Sequence, residues 1–293
     1  MELVAFFGDT HGNLKLMWEL AIQWEKQNNQ KLSYIFQVGD FGIWPAIDRL
    51  DPPTVNHAKN HGYTLKIAMG DFPEVFLGEY KIPIPTYFIR GNHEDQEFLM
   101  TFEKKHRKEN PTDYLTKPIE ICPNLFYVPD GHIITLGPSR IAGWGGCWGK
   151  KTWEMEYWGT VRAARNKQGY ARRLNHMTRD IYERLLREEF DILVTHDAPT
   201  GSGVQGMLNP SSSNLDPESI SEGTSEGTGV PYIRKLIEEI QPLYQFNGHW
   251  HEFQYNVFGS TEAYVLDKVH PESLERHFME VLELPHRVSQ LSG

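Results

Sequence analysis

Two histidines, His249 and His251, lie two residues apart in "NGHWHEF", directly after the apolar run "LYQF". Neutral imidazole is the commonest metal ligand in proteins, so the pair indicates a metal site. A His-x-His pair also occurs in ordinary strands, however. The metal interpretation therefore depends on whether the rest of the chain supplies partners.

Four other apolar runs also end in polar groups that can bind a metal. They are "LVAFF" before Asp9 and His11, "YIFQV" before Asp40, "TYFI" before Asn92 and His93, and "DILV" before His196. Ligand sites in α/β proteins collect outside the carboxyl ends of strands. Chance supplies one or two such coincidences rather than five, so the sequence predicts one metal site built by all five runs.

The seven candidate ligands favour transition metals. They are Asp9, His11, Asp40, Asn92, His196, His249 and His251. Mixed carboxylate and imidazole ligation without thiolate suits Mn, Fe, Zn or Co, whereas Ca and Mg prefer oxygen. Seven ligands are too many for one tetrahedral ion. Two divalent ions, bridged by a carboxylate and a water and about 3.5–4 Å apart, would use them all.

The elements that must position these residues follow an α/β pattern, with short apolar runs between amphipathic stretches. A helix is predicted from Asn13 to about Asn28 and another over 94–107. Strands are predicted at 3–7, 34–38, 86–89, 191–195 and 243–246, with a hairpin in 255–266. The runs "LFYV", "HIITL" and "RIAGW" between 124 and 143 predict three consecutive antiparallel strands.

Composition indicates one globular domain over residues 1–293, with 39% hydrophobic and 23% charged residues. The net charge of −10 argues against an extended nucleic-acid-binding surface. Two cysteines, Cys122 and Cys147, form no disulfide framework. No apolar stretch is long enough to span a membrane, and the strand at residue 3 leaves no room for a signal peptide. A soluble cytoplasmic protein with no evident protein partner is expected.

Two segments depart from the average composition. Residues 149–187 carry ten Lys or Arg against four acids, and 20 of the 30 residues in 200–229 are Gly, Ser, Thr, Asn or Pro. The second segment predicts a flexible loop over the site. In the first, residues 172–187 have the charge alternation of a solvated helix.

The other part of the basic segment interleaves Lys150, Lys151, Arg162 and Arg165 with Trp153, Tyr157 and Trp158. Cations between aromatic residues suit phosphate contacts with base stacking, and they suit a partner protein equally well. The four cations are therefore candidate substrate-binding residues. Eight further histidines, which include His57 and His61, lack any motif and are interpreted as ordinary surface or partly buried residues.

The ordered motifs D-x-H, G-D, G-N-H-[DE], H and G-H-x-H span residues 8 to 251 and resemble those of the calcineurin-like metallophosphoesterases. The resemblance implies a four-layer α/β/β/α sandwich of two mixed sheets flanked by helices. It assigns one metal to Asp9, His11, Asp40 and His251. It assigns the other to Asp40, Asn92, His196 and His249, with Asp40 as the bridge.

The same resemblance gives His93 a catalytic role rather than a ligand role. In the family this histidine faces the leaving-group oxygen, and imidazole is suited to protonate a departing alkoxide near neutral pH. Many phosphatases of the family hold the histidine with a second Asp after G-D. The stretch "GDFGIWP" offers none, so the group that orients His93 is left open.

Several stretches are similar, more narrowly, to RNA lariat debranching enzymes: "GNHEDQEFL", "PNLFYVPDG", "DILVTHDAP" and "PLYQFNGHWHEF". In those enzymes the segment after "RIAGWGG" helps to recognise the substrate, and here that segment is the basic one. Many of them carry Cys at the position of Asp9, so both metals are expected here. Only 42 residues follow His251, and no further C-terminal domain is expected.

These observations predict two-metal hydrolysis of a phosphoester, with a phosphodiester of a nucleotide or RNA as the leading substrate. A phosphorylated small molecule is the other substrate class, and a phosphomonoesterase or phosphoprotein phosphatase is the alternative enzyme. A scaffold that has lost catalysis is disfavoured, because every ligand and His93 are retained.

Overall fold

The computed structural model describes residues 2–154, 157, 175–204, 229–271 and 275–285. Twelve strands in these ranges form two six-stranded sheets. The first sheet contains, in spatial order, β12 (Met279–Glu283), β1 (Leu3–Phe7), β2 (Tyr34–Gln37), β3 (Thr86–Phe88), β5 (Leu125–Tyr127) and β4 (Ile119–Cys122). The second contains β10 (Gln254–Phe258), β11 (Thr261–Val265), β9 (Tyr244–Asn247), β8 (Ile192–Thr195), β7 (Ser139–Trp144) and β6 (Ile133–Leu136).

Both sheets are mixed. In the first, β1, β2, β3 and β5 are parallel, and β12 and β4 pair antiparallel at the two edges. In the second, β11, β9, β8 and β7 are parallel between antiparallel β10 and β6. The carboxyl ends of the central strands therefore share one edge of each sheet, which is where ligand sites form.

The described helices lie outside the sheets. They are α1 (Leu14–Asn28), α2 (Pro52–His61), α3 (Leu65–Met69), α4 (Phe72–Phe76), α5 (Gln96–Glu109), α6 (Lys150–Trp153), α7 (Arg179–Leu185) and α8 (Pro231–Ile240). Within the described residues, none of these helices has the length and apolar character needed to cross a bilayer.

Strand β1 shows how the layers are built. Its side chains alternate between the two faces of the sheet, so Val4 and Phe6 face the second sheet whereas Ala5 and Phe7 face the helices. Phe6 stacks on Phe246 of β9 with ring centroids 3.9 Å apart. The two sheets therefore share one apolar interface.

Each outer face of the sandwich is covered by helices. Met17 and Trp18 of α1 pack on the first sheet. Ile181 of α7 and Ile233 of α8 pack on the second. The predicted four-layer α/β/β/α sandwich of two mixed sheets is thus confirmed, and the predicted helix from Asn13 to Asn28 matches α1.

One predicted strand arrangement is wrong. The three runs between 124 and 143 do not form consecutive antiparallel strands, because β5 pairs parallel with β3 while β6 and β7 form a hairpin in the other sheet. Strands β4 and β12 were not anticipated. Short apolar runs carry no signal for the sheet they join, and long-range pairing decides it. The extent of the single domain stays a prediction.

Candidate metal centre

Loops that follow five parallel strands bring the predicted ligands together at one edge of the sandwich. The backbone N–H of His249, after β9, donates to Asp9 Oδ1 and Oδ2 at 3.0 and 3.1 Å. The backbone N–H of His93, after β3, donates to Asp40 Oδ1 at 2.7 Å. Asp9 therefore connects the two sheets, and Asp40 connects β2 with β3 within the first sheet.

The backbone at this edge is strained. Among the described residues seven non-glycine residues have positive φ, and four of them are candidate ligands: His11 (43°), Asp40 (54°), His249 (70°) and His251 (54°). Left-handed conformations cost a non-glycine residue energy and concentrate at functional sites. These loops thus adopt an unfavourable backbone conformation that directs the side chains of the candidate ligands toward one another.

Gly248 and Gly91 allow the carboxylates of Asp9 and Asp40 to approach the neighbouring loop backbone closely. A Cβ on Gly248 would lie 2.0 Å from Asp9 Oδ1, and a Cβ on Gly91 would lie 2.1 Å from Asp40 Oδ1. No side chain fits at either position without moving a carboxylate. The G-H-x-H and G-N-H-E motifs therefore need their glycines for close approach.

The first cluster contains Asp9, His11 and His251, whose donor atoms all lie within 4.8 Å of one another. His251 Nε2 is 3.0 Å from Asp9 Oδ2 and 2.9 Å from His11 Nε2. One carboxylate oxygen and two imidazole nitrogens thus converge on a volume the size of one ion. This donor set suits Mn, Fe or Zn.

The second cluster contains Asp40, His196 and His249, again within 4.8 Å. His196 Nε2 lies 3.4 Å from Asp40 Oδ1 and 2.9 Å from Asn92 Oδ1, which brings the amide into the same group. His196 Nδ1 is 3.1 Å from the carbonyl oxygen of Val38. A proton on Nδ1 satisfies that carbonyl and leaves Nε2 as the ligand atom.

Asp40 lies between the two clusters. Its Oδ1 faces His196, as described above, and its Oδ2 lies 3.8 Å from His11 Nε2. Each oxygen of one carboxylate is therefore turned toward a different cluster. The arrangement fits a carboxylate shared by two ions.

The electrostatics of the site also fit bound cations. Asp9 and Asp40 are 0% and 1% exposed. Burial raises the pKa of Asp40, but the charges of His196 and His93 outweigh it and hold that pKa well below its ordinary value. Burial lowers the pKa of His196, yet Asp40 raises it to about 10. The buried carboxylates of Asp9 and Asp40 thus favour a proton on His196, because buried negative charge needs a positive partner. A bound cation would meet the same need for both carboxylates.

His93 lies beside the first cluster, with its ring centroid 5.6 Å from that of His11. Its Nδ1 is 3.0 Å from Asp51 Oδ2, so Asp51 is the carboxylate that orients it. Burial lowers the pKa of His93, but Asp40 and Asp51 raise it to about 9. The contact with Asp51 therefore favours the protonated form of this ring.

Sequence reasoning missed Asp51. Asp51 caps α2 and accepts the backbone N–H of Thr54 at 3.3 Å and its hydroxyl at 2.6 Å. The string "DPPT" signals a helix N-cap followed by proline in the first turn. That signal locates the cap, but only the folded loop shows that the capping carboxylate reaches His93.

Glu94 is a second residue whose role the sequence did not reveal. Its buried carboxylate accepts the backbone N–H groups of Phe41, Gly42 and Ile43 at 2.7, 3.0 and 2.7 Å. Burial and the charge of Asp40 raise its pKa to about 8. Glu94 therefore fixes the loop that directly follows Asp40.

The predicted substrate-binding cations lie largely beyond what the structure describes. Lys150 and Lys151 begin α6, but their side chains are outside the described part of the chain, as are Arg162, Arg165 and Trp158. Most of the predicted flexible loop, residues 205–228, also lies outside the described residues.

One element of the basic segment is corrected by the structure. Trp153 is one of the aromatic residues that suited either base stacking or a partner protein, but it is 4% exposed and stacks on Tyr232 of α8 with centroids 4.0 Å apart. Tyr157 is 7% exposed, and its hydroxyl donates to Glu103 of α5 at 2.8 Å. Both rings belong to the packed interior. Their burial against other side chains decides their position, although Lys and Arg lie near them in the sequence.

Comparison with known proteins agrees with this geometry. A model of the calcineurin-like phosphoesterase family matches residues 3–253. The chain belongs to this family, which confirms the predicted class of enzyme, a metal-dependent phosphoester hydrolase. One solved structure aligns over 97% of this chain and 99% of its own, with a TM-score of 0.50 and 12% identity. That likeness shows the fold alone.

Sequence relatives from several organisms carry the name lariat debranching enzyme. The one from Entamoeba histolytica is 23% identical over 274 residues, which cover 92% of this chain and 69% of that enzyme. The one from Arabidopsis thaliana is 24% identical over 295 residues, which cover 96% of this chain and 63% of that enzyme. The chain thus spans about two thirds of the length of these two relatives and 49% of the length of the one from Homo sapiens. The predicted resemblance to debranching enzymes is confirmed.

Gly91→Ala is expected to reduce metal content although it changes no ligand. The new Cβ would lie 2.1 Å from both the backbone nitrogen and Oδ1 of Asp40 and would displace that carboxylate. Elemental analysis after reconstitution with Mn²⁺ and dialysis measures the effect. Gly78→Ala is the control, because its positive φ costs alanine about 1–2 kcal/mol but no atom lies within 4 Å. Full metal content in Gly91→Ala would contradict the importance of this close approach.

Proposed function

We propose that the chain hydrolyses a phosphodiester of a nucleotide or RNA with two divalent ions, Mn, Fe or Zn. The observation that carries the proposal is the position of Asp40, whose two oxygens face different clusters of ligand residues. Asp9, His11, Asp40 and His251 would hold one ion. Asp40, Asn92, His196 and His249 would hold the other. When bound, such a pair of ions polarises the phosphoryl group and acidifies a water.

His93 is the proposed general acid. Its Nδ1 is engaged by Asp51, so Nε2 is the nitrogen that can meet the leaving-group oxygen. The carboxylate orients the ring and stabilises its protonated form, which is the form that can release a proton to a departing alkoxide. Asp51 is thus a positioning residue that acts through His93.

The nucleotide substrate is supported by the relatives that are named for debranching of lariats. We propose that Lys150, Lys151, Arg162 and Arg165 add contacts to flanking phosphates, since residues 149–187 carry ten Lys or Arg against four acids in a chain whose net charge is −10. The two free cysteines support the cytoplasm as the compartment. A phosphomonoesterase is the alternative.

Hydrolysis of bis-p-nitrophenyl phosphate and of p-nitrophenyl phosphate by the Mn²⁺-loaded protein tests the proposal. A diesterase should have the higher kcat/KM for the diester, and the proposal predicts that order. A higher value for the monoester would favour the alternative. Absence of turnover with either ester in a protein that holds two ions would indicate a scaffold.

His93→Ala should lower turnover by about 10²–10⁴-fold for esters with an alkoxide leaving group, and less for p-nitrophenolate, which departs without a proton. Asp51→Asn should show the same dependence on the leaving group with a smaller loss, because asparagine removes the charge yet remains a good N-cap for α2. Turnover of a series of phosphodiesters with leaving groups of graded pKa measures both effects.

Asp48→Asn is the matched control, since Asp48 is exposed and lies three residues before Asp51. It should leave turnover unchanged. An equal loss for good and poor leaving groups in His93→Ala would remove His93 from the acid role. An unchanged turnover in Asp51→Asn would remove Asp51 from the role of positioning residue.

A further inference from the structure

Asp197 is a buried carboxylate that is not a member of either ligand cluster, although it directly follows the candidate ligand His196. It is 4% exposed. Its Oδ1 accepts the indole N–H of Trp250 at 3.0 Å and the backbone N–H of Ala198 at 2.8 Å. Its Oδ2 accepts the backbone N–H of Trp148 at 3.1 Å. Three N–H donors therefore surround this buried carboxylate.

The three donors come from three loops of the second sheet. Trp148 follows β7, Ala198 follows β8 and Trp250 follows β9, and these strands are parallel neighbours. A buried carboxylate that accepts N–H groups from several loops holds them in one arrangement, because an unpaired buried charge or donor is costly. Glu94 has the same role in the first sheet, where it fixes the loop after Asp40.

Trp250 lies between two candidate ligands that belong to different clusters. His249 precedes it and is part of the second cluster, whereas His251 follows it and is part of the first. The φ angles of the two histidines are 70° and 54°, a left-handed conformation that costs a non-glycine residue energy. Such a backbone persists only where surrounding contacts hold it. The hydrogen bond from Trp250 to Asp197 is one such contact.

The indole ring of Trp250 is held on its other sides as well. The side chain is half-buried and packs in a small apolar cluster with Val204 and Val265. Its ring meets the imidazole of His249 edge to face, with centroids 5.6 Å apart and planes at 83°. A shift of the indole would therefore move a ligand ring that it touches.

We propose that Asp197 is a positioning residue for both metal ions, because it anchors Trp250 and thereby fixes the directions of His249 and His251. The inference rests on the proposed function, in which His249 binds one ion and His251 binds the other. Asp197 itself contacts neither ion and acts through Trp250. Removal of a group that orients metal ligands typically weakens metal binding about 10–100-fold. Loss of the anchor should therefore weaken both ions together.

Trp250→Phe tests the anchor, since phenylalanine lacks the indole N–H but keeps an aromatic ring in the apolar cluster. Calorimetric titration of the metal-free protein with Mn²⁺ measures the dissociation constants of both ions. We expect each constant to rise about tenfold relative to the wild type. The Mn²⁺ concentration that gives half-maximal turnover of bis-p-nitrophenyl phosphate should rise by the same factor.

Trp18→Phe is the matched control. Trp18 is fully buried in α1, and its indole N–H donates to the hydroxyl of Thr86 at 2.9 Å. Thr86 is the first residue of β3, so this bond lies at the strand end opposite the ligands. The variant removes the same kind of hydrogen bond far from the metal centre. It should lower the midpoint of urea unfolding and leave both Mn²⁺ dissociation constants unchanged.

Asp197→Asn separates the anchor from the charge of the carboxylate. The amide oxygen can still accept the N–H groups of Trp250 and Ala198, whereas the amide nitrogen cannot accept that of Trp148. Both dissociation constants should therefore rise less than in Trp250→Phe. A larger rise than in Trp250→Phe would assign the effect to the lost charge and would overturn the inference.

Three further outcomes would overturn the inference while leaving the two-metal site intact. They are unchanged constants for both ions in Trp250→Phe, a rise for only one of the two ions, or an equal rise in Trp250→Phe and Trp18→Phe. The last outcome would show that lost stability alone weakens metal binding. Binding of fewer than two Mn²⁺ ions by the wild type would instead reject the proposed function.

Discussion

Two ionised carboxylates, Asp9 and Asp40, are buried between the carboxyl ends of the two sheets, and the local structure follows from that charge. Burying an unpaired carboxylate costs several kcal/mol, so each must be satisfied by hydrogen bonds, imidazoles or cations. The N–H groups of His249 and His93 meet part of the demand. The other lone pairs of the two carboxylates point into the two ligand clusters, where divalent ions would bind them.

The same constraint connects catalysis to the fold. Asp40 is held by the N–H of His93, the loop after it is held by Glu94, and Gly91 leaves room for it. A group that fixes Asp40 therefore also fixes His93. The proposed acid, His93, and the proposed bridging ligand, Asp40, are positioned by one loop contact, and Asp51 contacts the imidazole of His93 at Nδ1.

The candidate ligands could be predicted from the sequence, because each lies at a fixed position in a short motif. All seven candidate ligands lie in loops after strands that apolar runs revealed, and the structure brings them together. The role of Asp51 was not predicted, because Asp51 and His93 are 42 residues apart in the chain. Only tertiary packing brings this helix cap next to the imidazole. The burial of Trp153 was not predicted, because charged neighbours in the sequence do not show that a side chain packs in the three-dimensional core. Strand β12 is an edge strand whose partner, β1, is remote in the chain, whereas the edge strand β4 pairs with β5, which begins three residues after it ends.

Anomalous diffraction from crystals grown with Mn²⁺ tests the central claim, that Asp40 is shared by two ions, most directly. The account predicts two anomalous peaks about 3.5–4 Å apart, with one oxygen of Asp40 next to each. A single peak, or two peaks of which only one contacts Asp40, would contradict it.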